Sequence, residues 1–216
     1  MEEQEKKQRI VKEHEERRRE IVDTAARLFA QKGYGQCSVN DILNAIGIAK
    51  GTFYHYFKSK EEVLDAVIGH SLDIIMERVG EVLHNTALSP EDKLLHIFLS
   101  MRIEDQMEEG LLEEMHRPEN ALMHQKSLVL LVTRLAPLLT RVVDEGVEQG
   151  VFHTEYSEQY MRIFLASAAT LLDDGIFEVE PEKMQEMFLA LLSVLEKMLG
   201  VEKGSVLSRA EKYWNF

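Results

Sequence analysis

Residues 38–60 read SVNDILNAIGIAKGTFYHYFKSK, and this stretch decides the fold. Ser38 is a strong helix N-cap, and Asp41 stands three residues on, in the Glu/Gln place of a capping box. Ile42, Leu43 and Ile46 supply one apolar face. Gly47 stops the helix after about two turns, because glycine takes the left-handed conformation at a C-cap. Ile48-Ala49-Lys50-Gly51 then leads into a second short helix, Thr52 to Phe57. Phe53 and Phe57 lie four apart and share a face, which predicts that both point inward. Thr52, Tyr54 and His55 are left to project outward, and Gly51 allows close approach of the backbone. Ser59-Lys60-Glu61-Glu62 is a regular capping box and starts a long helix.

On the N-terminal side, Ile21, Ala25, Leu28 and Phe29 fall at i, i+4, i+7 and i+8 of an amphipathic helix that Gly33 ends. Residues 1–16 are rich in Glu, Lys and Gln, and read either as a frayed tail or as a solvated extension of that helix. On the C-terminal side, Val63, Leu64, Val67, Ile68, Ile74, Ile75, Val79, Val82 and Leu83 carry the long helix to about Asn85. Ser89-Pro90 opens another, expected to reach about Glu109. An apolar stripe from Asn120 through Leu128, Leu135, Leu139 and Val143 contains Pro137, expected to kink it. Helices are expected over 157–176 and 181–199, with a last one from Ser205 towards Tyr213. No alternating pattern of strand length occurs. The reading is an all-α fold: an N-terminal three-helix helix-turn-helix head, joined by a long helix to a C-terminal helical body. The expected division is a charged tail or helix extension at 1–16, a head at 17–65 and a body at 66–216.

Composition narrows the class. The chain has 216 residues, of which 45% are hydrophobic and 29% charged, so a folded helical protein is expected. No apolar run approaches the roughly 18–20 residues needed to span a bilayer. The charged opening excludes a secretory signal peptide, and the single cysteine, Cys37, excludes a disulfide framework or a Cys-based zinc cluster. A reducing, cytoplasmic location is the expectation. The net charge of −13 argues at first against nucleic acid. Counted by segment, residues 1–60 hold 12 Lys+Arg against 9 Asp+Glu, whereas residues 61–216 hold 13 against 29. A cationic head thus precedes an anionic body.

Lys50, Gly51, Thr52, Tyr54, His55 and Tyr56 are small, cationic, hydroxyl-bearing or aromatic. Such groups donate to phosphates or reach base edges in a major groove. A tightly turned helical corner of an ordinary all-α protein fits the spacing alone equally well, and the local positive charge favours DNA. Residues 17–65 closely resemble the N-terminal domain of the TetR family of bacterial transcriptional regulators. The matching pieces are Ala25-Ala26, Leu28-Phe29, Lys32-Gly33-Tyr34, Ser38-Val39, Asp41-Ile42, Gly47, Lys50-Gly51-Thr52-Phe53-Tyr54, Tyr56-Phe57 and Ser59-Lys60-Glu61-Glu62. The resemblance implies that Ser38 and Val39 meet backbone phosphates. It places Lys50, Gly51, Thr52, Tyr54 and His55 on a recognition helix, with His55 the foremost base reader. It also implies that Lys60 binds phosphate beside a helix N-terminus.

The resemblance further implies a homodimeric repressor of double-stranded operator DNA, released by a small-molecule inducer held in the body. Candidate ligand contacts are His96, Met101, Met107, Met115, Met123 and His124, because thioethers line adaptable apolar cavities. For any single methionine, plain core packing is the commoner role at helical spacing. Phe164, Ala168, Leu172, Phe188, Leu191 and Leu195 are the candidate dimer interface, or else complete the protomer's own core. His116 and His124 match no defensible metal spacing, so neither metal nor cofactor is expected. Cys37 reads as a small packed residue or a redox thiol. An enzyme is disfavoured, since no phosphate-binding loop, H-E-x-x-H or G-x-S-x-G motif occurs. A helical adaptor would leave the cationic head unexplained.

Overall fold

The structure, a computed structural model, describes residues 2–100, 116–173, 175–177 and 180–210. Among the described residues every regular element is helical: α1 (Glu2–Lys32), α2 (Val39–Ile46), α3 (Lys50–Tyr56), α4 (Lys60–His84), α5 (Pro90–Ser100), a 3₁₀ turn (Pro118–Asn120), α6 (Ala121–Glu148), α7 (Ser157–Leu171), α8 (Pro181–Leu199) and α9 (Ser205–Ala210). The protein divides into two compact units. The first takes in the described residues up to Ser71 together with 116–126, and the second takes in the rest.

The first unit is built on α1. α1 is one helix of 31 residues that takes in the N-terminal stretch from Glu2. No glycine or proline interrupts residues 2–32, and the Glu, Lys, Gln and Arg that fill them are good helix formers. Ile21, Ala25 and Phe29 of α1 are fully buried with Ile42 of α2, Phe53 of α3, Phe57 beyond it, and Val63 and Leu64 of α4. Each large apolar side chain buried in this way contributes about 1.5–3 kcal/mol. Gly47 has φ +79° and its N–H donates to Leu43 O at 2.8 Å, the left-handed stop predicted for α2.

Residues 116–126 belong with this first unit, although the sequence reading set them in the body. Tyr34 N–H donates to Asn120 Oδ1 at 2.8 Å, and Asn120 is fully buried. Lys126 Nζ reaches Glu61 Oε1 at 3.0 Å and Asp65 Oδ1 at 2.7 Å, and this double partnership raises the lysine's pKa. Gly33, at φ +79°, lies so close to this segment that a Cβ there would stand 2.7 Å from Glu119 Cβ. Glycine at that position serves both the turn and the close approach.

In the second unit α5 starts as predicted. Ser89 Oγ accepts from Asp92 N at 3.2 Å, and Pro90 stands at the first helical position. Leu94, Leu95 and Ile97 of α5, Leu135, Leu139, Val142 and Val143 of α6, Phe152 of the connection that follows, Met161 and Leu165 of α7, and Leu195 and Leu199 of α8 form the core. Lys93 is buried and its ammonium meets both oxygens of Glu145 at 2.9 and 2.7 Å, so its charge is paired where water is scarce. Helix α6 runs through Pro137 as one assigned element. α7 ends at Leu171, short of the expected 176. Glu196, also buried, accepts from the backbone N–H groups of Gly204, Val206 and Leu207 and so caps α9. Arg209 ties α9 to Glu91 and Asp92 of α5. No described helix is long and apolar enough to cross a membrane.

Candidate nucleic-acid interface

Helix α2 begins at a complete capping box. Asp41 N–H donates to Ser38 Oγ at 3.2 Å, and Ser38 N–H donates to Asp41 Oδ2 at 2.8 Å. The Ser38 hydroxyl donates to the same carboxylate, and Lys32 Nζ reaches Asp41 Oδ1 at 2.9 Å. These partners, Ser38 foremost, hold the Asp41 carboxyl well below the usual carboxylate range, and the same pair raises Lys32. Ser38 is therefore a fastener of α2 first. Its hydroxyl can serve a phosphate only by releasing Asp41. Val39, at the first helical position, is half-buried.

Helix α3 divides as predicted. Phe53 is fully buried and Phe57 nearly so, while Lys50, Gly51, Tyr54 and His55 are exposed and Thr52 is half-buried. Apart from its chain neighbours and the backbone of its own helix, nothing among the described residues lies within 4 Å of where a Cβ on Gly51 would stand, so that surface is open. Lys50 Nζ lies 5.8 Å from the centre of the Tyr54 ring, one helical turn on, and Tyr54 is itself edge-on to Phe53. The outward surface of α3 thus carries a cation, a phenol and an imidazole on a helix seated by two buried rings.

Two residues of α1 join this surface that the sequence reading did not single out. His14 stands with its ring centre 5.5 Å from that of His55 and 4.5 Å from that of Tyr56. The guanidinium of Arg18 lies 5.0 Å over the Phe57 ring. No short-range signal marks either contact, because some forty positions separate the partners. His14 also stands in the stretch read as tail or extension.

Lys60 is more constrained than expected. Its Nζ donates to Tyr34 O at 2.7 Å and to Cys37 O at 2.8 Å, and lies 4.2 Å from the centre of the Tyr34 ring. The ammonium therefore pins the chain between α1 and α2 and keeps one N–H for any phosphate. Ser59 Oγ accepts from Glu62 N at 3.1 Å, but the Glu62 carboxylate returns to Lys58 N at 2.6 Å, one residue earlier than a regular capping box requires. Cys37 is buried, its thiol facing Ser38 O at 3.7 Å, and burial pushes that thiol's pKa up. This is the packed residue of the two readings.

Of the candidate ligand contacts, Met101, Met107 and Met115 lie outside the described residues. His96 is half-buried on α5 in the second unit. Met123 is buried and His124 half-buried on α6 in the first unit. The 3₁₀ turn brings His116 and His124 to 5.0 Å between ring centres, a proximity their sequence spacing does not convey. An open hollow of about 730 Å³ in the second unit is lined by Phe152, His153, Tyr156, Tyr160, Lys197 and Met198 among others, and by none of the candidate contacts. Of the candidate dimer residues, Phe164, Leu191 and Leu195 are buried within the protomer. Ala168, Leu172 and Phe188 are half-buried, and Ile163 and Val194 are the large apolar residues that α7 and α8 leave exposed.

Comparison with known proteins supplies the frame. Residues 21–67 match the family model described as bacterial regulatory proteins, tetR family. Residues 104–194 match that of the tetracyclin repressor-like C-terminal domain. Together the two matches span more than half of the chain. An HTH-type transcriptional repressor, KstR2 of Mycolicibacterium smegmatis, is 39% identical over 84 residues, covering 39% of this chain and 40% of that protein. KstR2 of Rhodococcus jostii is 27% identical over 155 residues, covering 71% of this chain and 76% of that protein. The chain spans less than half the length of the first curated relatives it matches. Among solved structures, RolR in complex with resorcinol superposes with a TM-score of 0.64 at 21% identity, over 94% of this chain and 96% of that one. That similarity shows the shared all-α fold.

Proposed function

The chain belongs to the TetR family of bacterial regulatory proteins, and we propose that it is a DNA-binding transcriptional repressor released from its operator by a small-molecule inducer. The observation that carries this reading is α3. It is anchored by buried Phe53 and Phe57 and presents Lys50, Tyr54 and His55 to solvent on one short helix. A helix so seated can enter a major groove, where imidazole and phenol groups reach base edges and Lys50 meets phosphate. Thr52 and the open face of Gly51 let the backbone come close. Ser38, once its hydroxyl releases Asp41, Val39 beside it and the remaining N–H of Lys60 are the proposed phosphate contacts on the flank.

The charge distribution supports the same assignment. The cationic head is attracted to the duplex and the anionic body is repelled, which orients docking and limits indiscriminate adhesion. Two copies would be needed to reach successive major grooves. The half-buried Ala168, Leu172 and Phe188, with exposed Ile163 and Val194, are the residues of α7 and α8 proposed to meet the partner copy. The buried Phe164, Leu191 and Leu195 would support that face from within. Met123, His96 and His124, with Met101, Met107 and Met115, remain the proposed inducer contacts. Inducer binding would favour a body conformation in which the paired heads no longer match groove spacing. The cytoplasm, where the DNA is, would be the site of action.

The test is a binding titration of the full chain against duplex fragments flanking its own gene, at low and at physiological salt. Saturable binding that survives excess nonspecific competitor is expected for one or more fragments. Binding that the competitor abolishes for every fragment would refute the reading.

A further inference from the structure

His14, His55 and Tyr56 form a closed cluster of three rings. The centres of His14 and His55 are 5.5 Å apart with the rings at 78°, those of His14 and Tyr56 are 4.5 Å apart, and those of His55 and Tyr56 are 5.2 Å apart with the rings at 85°. Two of the rings belong to the last turn of α3, and the third comes from α1, some forty residues away in sequence. Edge-to-face contact at these separations is favourable for aromatic rings. His14 is exposed and lies outside the buried core. A histidine at the end of a seven-residue helix would otherwise turn freely about its side-chain bonds. Here the neighbouring edge of His14 restricts it.

From this geometry we propose that His14 is a specificity-positioning residue: its ring fixes the rotamer of His55, so that the imidazole is presented to base edges already oriented. The inference rests on the reading of α3 as the recognition helix and of His55 as a base reader. The physical reason is the entropy of recognition. Each side chain immobilised on binding costs affinity, and one held in its bound rotamer beforehand costs less. A misoriented imidazole still attracts phosphate but discriminates poorly between bases, because base readout depends on hydrogen-bond direction and phosphate attraction does not. The N-terminal extension of α1 therefore acts on sequence preference through His55.

The test uses the full chain and a randomised duplex library, from which the preferred duplex is selected with the unmodified protein. Affinities are then measured for that duplex and its single-base-pair substitutions with the unmodified chain, His14→Ala, His14→Phe, His55→Ala and the double variant His14→Ala/His55→Ala. Thermal melting of each is recorded in parallel. The expected result has four parts. His55→Ala flattens the preference at particular base pairs. His14→Ala flattens it at the same base pairs, by about two- to tenfold. The double variant is no flatter than His55→Ala alone. His14→Phe, which keeps a ring edge against His55, restores discrimination. Unchanged melting of His14→Ala is expected, because the residue is exposed. The proposal is overturned if His14→Ala keeps full preference where His55→Ala loses it, if it weakens all duplexes equally, or if its effect adds in full to that of His55→Ala. If His55→Ala itself leaves every preference intact, the base-reading role of His55 fails first and the positioning role falls with it.

Discussion

The backbone amide of Tyr34 donates to the side-chain oxygen of Asn120 at 2.8 Å, across 86 positions of sequence. Asn120 is fully buried, and Tyr34 follows directly on Gly33, the turn residue at which a Cβ would crowd Glu119. The segment 116–126 is thereby fastened to the chain that precedes α2. Replacing Asn120 by Ala leaves a part-buried amide without its acceptor, which costs about 1–3 kcal/mol. A lower midpoint in thermal or denaturant unfolding is the expected outcome. An unchanged midpoint would mean that the bond contributes nothing.

Lys60 gives a second prediction, because the structure sets a structural role beside the phosphate contact implied by family resemblance. Lys60→Met removes the donor to two carbonyls, those of Tyr34 and Cys37. Its stability should fall by about 1–3 kcal/mol before any DNA is added. A variant that melts like the parent and loses only DNA affinity would show that Lys60 acts on phosphate alone.

Asp41 sets a pH dependence whose sign follows from its partners. The folded-state carboxyl titrates below its ordinary value because Ser38 and Lys32 favour the charged form. Its contribution is therefore complete above the unfolded value of about 4 and is lost as pH falls through the lower folded value. Asp41→Asn should melt below the parent at neutral pH, and the gap should close as the pH is lowered below about 4. A gap that stays constant down the acid range would contradict the assignment.

Cys37 is expected to be inert in the folded protein. Its thiol is buried and burial disfavours the thiolate, the reactive form. A thiol reagent should label it slowly in the native state and at once in denaturant. Rapid native labelling would restore the redox reading.

Much of this was legible in the sequence, for local reasons. The capping box at Ser38 and Asp41, the stop at Gly47 and the inward pair Phe53 and Phe57 all depend on spacings of three or four residues, and all three stand in the structure. What escaped the sequence is long-range. Nothing near Lys60 announces that its ammonium folds back on Tyr34 and Cys37, and nothing near His14 announces its ring contact with His55. The apolar residues of α7 and α8 share a helical period whether they face the protomer's interior or outward. Periodicity alone could not separate buried Leu191 and Leu195 from half-buried Phe188 on the same face. Charge density fits a solvated helix and a frayed tail equally, so it does not decide the helical state of residues 2–16.

The central claim is that the outward side chains of α3 read DNA sequence. The most direct measurement compares the unmodified chain with a Tyr54→Ala/His55→Ala variant for affinity to the selected duplex and to nonspecific duplex, over a range of salt. The account predicts that the unmodified chain prefers the selected duplex by about a thousandfold or more. It predicts that the variant folds normally, since both side chains are exposed. The variant should keep its weak, salt-sensitive attraction to any duplex and lose most of the preference. A variant that retained both affinity and preference would contradict the account.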